Sequence, residues 1–350
     1  MKTKIFPLLL VLLPFYSFAQ LVDVVDSLEG PSAMVIMGQN LVFSQYEDSR
    51  VSQIDLTEAN PTPVDILGGI RLPYGVAAKG DSLFIADNTG NRILRQNLSA
   101  SDSSLVELTR AVSNPSAIAV KGAYLFIAEW VGRRVSKIKI TADDPIPTLV
   151  VDGLLSASGL AFYGDDLFIS DWDAGKVYKV DSNSPNPALI EVARNLDQPN
   201  HLAVIQDELY IGQFGGNKIS KLNLLEQDPV LQDVVTDLNQ PSGMVLYRND
   251  LYIGIFGDNK IVKLPGIISS TTKWEDTKAV VYPNPVRETL FFKNLPDRAL
   301  DLRIFNTQGL LIRRENLMGA SQLDVSDLIP GTYFILFDGS STAVKFVKTN

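Results

Sequence analysis

The chain has no cysteine and a single histidine among its 350 residues. The first absence excludes disulfides, thiol nucleophiles and cysteine-ligated metals. An apolar core must therefore hold the fold, and a chain of this length can bury one. The second absence leaves one imidazole, His201, for proton transfer near neutral pH. Basic charge is also short, with 31 Lys and Arg against 40 Asp and Glu. The first 19 residues hold 2 of the basic residues, and residues 279–350 hold 8 basic and 7 acidic ones. The remainder carries 21 basic against 33 acidic residues, a net charge of −12. Such a surface repels nucleic acid and anionic lipid, so neither is an expected partner. Spanning apolar runs are missing too. Leu8–Leu13 is too short to anchor in a bilayer, and no longer run follows. With Lys2 and Lys4 before it and Ser17-Phe18-Ala19 after it, residues 1–19 read as a secretory signal. A soluble mature chain beginning near Gln20, with no transmembrane segment, is expected.

Repetition dominates what remains. A phrase returns six times at a step of 42 residues, starting at Pro31, Pro73, Pro115, Ala157, Pro199 and Pro241. Leu41, Leu83, Leu125, Leu167, Leu209 and Leu251 keep the same step. So do Arg50, Arg92, Arg134, Lys176, Lys218 and Lys260. A period near 40 residues signals a propeller or a solenoid. Within the second copy, two apolar runs flank Lys79-Gly80-Asp81-Ser82, a hairpin turn. A second turn, Asn88-Thr89-Gly90-Asn91, leads to a strand at Ile93, and a fourth strand covers Leu105, Val106 and Leu108. Four antiparallel strands per repeat make a propeller blade. The start of the first strand is small almost throughout (Ala33, Gly75, Ala117, Gly159, His201, Gly243), as blades tapering toward an axis require.

After the sixth copy the pattern stops at Leu264, one strand short. Asp23-Val24-Val25-Asp26-Ser27-Leu28 matches Asp233-Val234-Val235-Thr236-Asp237-Leu238, with Val24 in register with Ile66, Leu108, Val150, Val192 and Val234. The N-terminus is therefore expected to close the last blade and remove the open sheet edges. The fold class is all-β: a six-bladed β-propeller over residues 20–266, then a small Ig-like β-sandwich. Leu83-Phe84-Ile85-Ala86-Asp87-Asn88-Thr89-Gly90-Asn91-Arg92-Ile93, following Pro73-Tyr74-Gly75-Val76-Ala77, resembles an NHL repeat, and the other copies are looser versions. That resemblance implies binding more often than catalysis.

Residues 279–350 break the period, and short apolar strands alternate there with turns. Tyr282-Pro283-Asn284-Pro285-Val286, Phe305-Asn306-Thr307-Gln308-Gly309, Leu328-Ile329-Pro330-Gly331-Thr332-Tyr333 and Lys345-Phe346-Val347-Lys348 occur in order. The segment resembles the C-terminal sorting domain of the type IX secretion system of Bacteroidetes-type bacteria. The resemblance implies a translocon as partner and release or tethering at the cell surface, with Pro283, Asn284, Pro285, Gly309, Gly331, Tyr333 and Lys345 as the sorting motif. An ordinary Ig-like binding module is the alternative. Residues 267–278 read as a polar linker.

Three features are candidates for a site. The residues just after the second strand are Tyr46, Asn88, Trp130, Trp172, Phe214 and Phe256, and Tyr74 joins them from a neighbouring loop. Such a rim can grip a glycan, peptide or protein, or it can fill the seams between blades. Asp87, Glu129 and Asp171 form an acidic column beside the basic one. They suit a metal or acid–base role, or ion pairs that pin a turn. His201, beside Asn200, breaks the small-residue column at the axis and is the natural centre of a hydrolase- or lyase-like alternative with those acids. A gluconolactonase/regucalcin-like resemblance would imply Ca²⁺ ligands at the starts of the inner strands. Those starts are Ser32, Tyr74, Ser116, Ser158, Asn200 and Ser242, of which only Asn200 fits. No nucleophile-elbow motif accompanies His201. The expectation is a binding or scaffold module without a cofactor, its candidate contacts being Tyr46, Tyr74, Trp130, Trp172, Asn200, His201, Phe214 and Phe256.

Overall fold

A computed structural model describes residues 21–99, 104–267, 280–293, 300–307, 311–317, 322–337 and 343–349. The expected signal segment, almost all of the expected linker and Gly309 lie outside these residues. The chain divides into two compact units, Met1–Ile267 and Ile268–Asn350.

The first unit is a six-bladed β-propeller of four-stranded antiparallel sheets. Blade 1 shows the plan, with inner strand Pro31–Met37, second strand Asn40–Gln45, third strand Arg50–Asp55 and outer strand Val64–Gly68. The second strands are apolar on both faces because each is sandwiched between neighbouring sheets. Leu83, Phe84 and Ile85 are all within 1% of full burial. Outer strands face water and are held at the surface by cation–carboxylate pairs with the third strands. The pairs are Arg50–Asp65 (2.5 Å), Arg92–Glu107 (3.2 Å), Lys176–Glu191 (2.8 Å) and Lys218–Asp233 (3.1 Å) in blades 1, 2, 4 and 5, whereas blade 3 has Leu149 at the acidic position and Arg134 pairs with Glu129.

Closure follows the expectation. Val22–Val25 is the outer strand of blade 6, paired antiparallel with Lys260–Leu264. A register shift isolates Val24 between Asp23 and Val25, and the same shift isolates Ile66, Leu108, Val150, Val192 and Val234. The Lys260–Asp23 ion pair (3.1 Å) lies at the surface and contributes at most about 1 kcal/mol. The larger share comes from burial: Leu28 is 2% exposed, and Val24 and Val25 pack on its cluster with Met34, Leu41 and Ile261.

The second unit is a β-sandwich of a three-stranded and a four-stranded sheet around its own core, which includes Val286, Leu290, Leu302, Ile335 and Phe346. Asn284 acts as a short strand: its Nδ2 donates to the Lys345 carbonyl (3.1 Å), and its Oδ1 accepts from the Val347 amide (2.9 Å). The Tyr333 hydroxyl donates to the Ile329 carbonyl (2.8 Å). Several of the residues that carry the sorting resemblance thus also hold the sandwich together.

Val24→Asp places a carboxylate against the closing cluster and should cost on the order of 2 kcal/mol. In a domain of this size that lowers Tm by roughly 4–8 °C. An unchanged melting curve would refute closure by this strand.

Candidate functional site

Inner strands meet at the axis, where space decides residue type. A Cβ on Gly75, Gly159 or Gly243 would overlap the carbonyl oxygen of Ser116, Asn200 or Ser32 in the next blade. The adjacent serines stitch neighbouring blades. Ser116 Oγ donates to the Ala157 carbonyl (2.7 Å), Ser158 Oγ to that of Pro199 (2.8 Å), and Ser242 Oγ to that of Pro31. Two blades replace this serine, with Tyr74 in blade 2 and Asn200 in blade 5. These blades face each other across the ring, and the Tyr74 hydroxyl donates to Asn200 Oδ1 at 2.8 Å. This latch crosses the axial channel. Burial pushes the Tyr74 phenol well above its ordinary pKa, so it stays a donor.

Above the latch opens a bowl of about 550 Å³. Its wall is a chain of rings in contact: Trp130–Trp172 (centroids 5.4 Å apart), Trp172–Phe214 (5.1 Å), Phe214–Phe256 (5.6 Å), Phe256–Tyr46 (6.3 Å) and Tyr46–Tyr74 (5.7 Å). Each contact is within the range of favourable aromatic pairing. The rings are half-buried, so the two readings of this column are not exclusive. One edge packs on the neighbouring blade and the other borders the bowl. Blade 2 breaks the wall with Asn88, whose Oδ1 accepts from Asn114 Nδ2 (3.2 Å). No charged side chain lines the bowl.

Seven of the expected contacts border this bowl, and His201 does not. It lies below the latch in a chamber of about 20 Å³, room for roughly one water. Ser158 and Ser242 share that chamber, but their hydroxyls are committed to backbone carbonyls. Desolvation lowers the His201 pKa to about 4, against a weaker upward pull from a hydrogen bond to the Met244 backbone.

The acidic column is absent from both spaces. Asp87, Glu129 and Asp171 are at most 1% exposed, and each is satisfied within its own blade. Asp87 binds Arg92 Nε (2.6 Å). Glu129 accepts from Arg134 (2.9 Å), Ser136 (2.6 Å) and the Ser113 amide (2.9 Å). Asp171 holds the Leu155 and Ser156 amides at 2.8 and 2.9 Å, while Lys176 pairs with Glu191 instead. Gln45 and Gln213 tether the same loops in blades 1 and 5, through the amides of Glu29 and Asp197 (3.0 Å each). A neutral amide thus does the same work as Glu129 and Asp171, while Asp87 instead holds its own turn through the Gly90 amide (3.1 Å), so the column is structural. Among the described residues, no group of three His, Asp or Glu is placed to hold a metal ion.

Sequence reasoning named the rings and Asn200 but missed the Asn88–Asn114 notch and the latch. A signal for the latch was available: the only two non-serine residues in their column are 126 residues, hence three blades, apart.

Residues 280–349 match the family described as the secretion system C-terminal sorting domain. The chain is therefore addressed for secretion or for the outer-membrane surface, and its tail engages the secretion machinery. No helix among the described residues is long and apolar enough to cross a membrane. No curated protein sequence matches the chain. Among solved structures, a nidogen/laminin complex aligns at 19% identity over 66% of this chain and 90% of that one, with a TM-score of 0.56. Virginiamycin B lyase from Staphylococcus aureus aligns at 14% identity over 70% and 98%, with a TM-score of 0.53. A luciferin-regenerating enzyme aligns at 10% identity over 71% and 95%, with a TM-score of 0.60. At these identities the likeness establishes the propeller fold alone.

The desolvated His201 imidazole gives a pH test. Its folded pKa, about 4, lies below the ordinary value of 6.5. Unfolded chains therefore take up its proton first, and stability falls as pH drops from 6.5 toward 4. Between pH 7 and 4.5 the loss from this residue should be about 2–3 kcal/mol. In urea titrations His201→Gln should flatten that pH slope by a similar amount. An unchanged slope would show that the imidazole is not held neutral.

Proposed function

We propose that this protein is an exported or surface-held β-propeller that binds an extracellular glycan, peptide or protein through the aromatic bowl. The observation that carries this reading is the row of six successively touching rings, open only at Asn88, along a bowl without charged side chains. Large aromatic rings already held by their neighbours lose little entropy when they grip a ligand, which is why they dominate binding hot spots. A bowl of about 550 Å³ also falls in the range of small-ligand sites.

The hydrolase or lyase alternative finds less support. His201 lies behind the Tyr74–Asn200 latch, off the bowl and beside about 20 Å³ of space, and the acids it would need are held by other partners. A general base must come within hydrogen-bond reach of a substrate proton.

Glycan-array and peptide pull-down screens with the full chain test the binding reading. Trp130→Ala and Trp172→Ala should each weaken the captured ligand roughly tenfold or more, without loss of the folded state. Finding no ligand, or one indifferent to both substitutions, would sink the proposal.

A further inference from the structure

The bowl has a floor, and that floor limits what enters. The latch joins opposite blades at 2.8 Å, so a ligand can come in from the mouth but cannot thread the axis. The site is a blind socket. A polymer can offer such a socket only an end.

The chemistry of the walls narrows the class further. Sugar rings present an apolar C–H face and a polar edge in one unit, which suits aromatic walls interrupted by amides. Trp130 and Trp172 supply adjoining aromatic surface, and Asn114, fixed by Asn88 whose own Nδ2 is bonded to the Pro115 carbonyl (3.1 Å), supplies the polar edge. At the floor, Asn200 is 3% exposed, and its Oδ1 is used by Tyr74. Its Nδ2 has no hydrogen-bond partner among the described residues. Because the one side-chain polar atom among the described residues that is both buried and unpartnered is Gln96 Oε1, Asn200 Nδ2 keeps accessible surface and is free to donate to an acceptor oxygen of a ligand or water. A carboxylate is a poor candidate, because no cation lines the bowl and residues 20–278 carry a net −12.

We propose that the bowl holds the terminal residue of a neutral glycan end-on, with Asn200 Nδ2 donating to one of its oxygens. This rests on the binding reading above and goes further by naming the ligand class, the direction of entry and the specificity-determining residue.

The test presents the full chain with three probe sets: linear neutral oligosaccharides of glucose, mannose and galactose, the same chains ending in a uronate, and cyclic glucans that have no end. Binding is read by tryptophan fluorescence and by array. At least one linear neutral series should bind. Its uronate-ended counterpart should bind at least tenfold more weakly, and the cyclic glucans should not bind. Asn200→Ser, which installs the residue used in four other blades, should weaken binding at least tenfold while Tm shows that the ring is intact. Asn200→Asp, nearly isosteric, should do the same. Equal binding of uronate-ended or cyclic probes, or an unaffected Asn200→Ser, would overturn the inference. So would capture of peptides alone through Trp130 and Trp172, though the bowl would then stand as a binding site. Loss of every tryptophan-dependent ligand would remove both.

Discussion

Crowding at the axis is the constraint on which the molecule depends. Six inner strands converge there, and at three of them even a methyl group would strike the carbonyl of the next blade. Glycine and alanine are the answer along one column, and serine along the next. A serine hydroxyl is small enough to fit and polar enough to satisfy the facing carbonyl, so the same residue relieves crowding and joins blades. With the blades fixed at the centre, the second strands are sealed on both faces. The outer strands then need only weak surface pairs.

The same constraint explains why the exceptions matter. A bulky side chain in those columns cannot lie between blades, so it must occupy the axis. Tyr74 and Asn200 do so and meet, closing the channel. His201 does so one residue deeper, beneath them, and stays partly exposed. A single hydrogen bond thereby divides the axial space into an open aromatic bowl and a chamber the size of a water molecule.

Most of the propeller was legible in the sequence because a period reports whatever every copy shares. The 42-residue step fixed the blades, and matching Asp23–Leu28 to Asp233–Leu238 placed the closing strand, even to the residue isolated by each register shift. The acidic column was harder to read, because Asp87, Glu129 and Asp171 look like chemistry until Gln45 and Gln213 are seen holding the equivalent loops. Asn88 was visible as the gap in the aromatic column. Its partner Asn114 comes from a different loop, and pairing across loops does not appear in any one repeat. The rim residues posed another limit, since packing in a seam and facing a bowl require the same large ring. Only the fold shows that Trp130, Trp172, Phe214 and Phe256 do both.

Binding and catalysis make different electrostatic demands. A reacting centre needs dipoles and charges aimed where charge develops, held in a dry site. Here every buried carboxylate of the acidic column is turned into its own blade, and the imidazole is kept neutral by burial. What faces the mouth is shape, polarizable surface and a few amides. Such a surface discriminates by fit and by the cost of stranding a hydrogen-bonding group. For a protein that works outside its cell and carries no disulfide, that is a robust arrangement. Ring-to-ring contacts that stabilise the mouth also hold it in shape, so the proposed binding would carry little ordering cost.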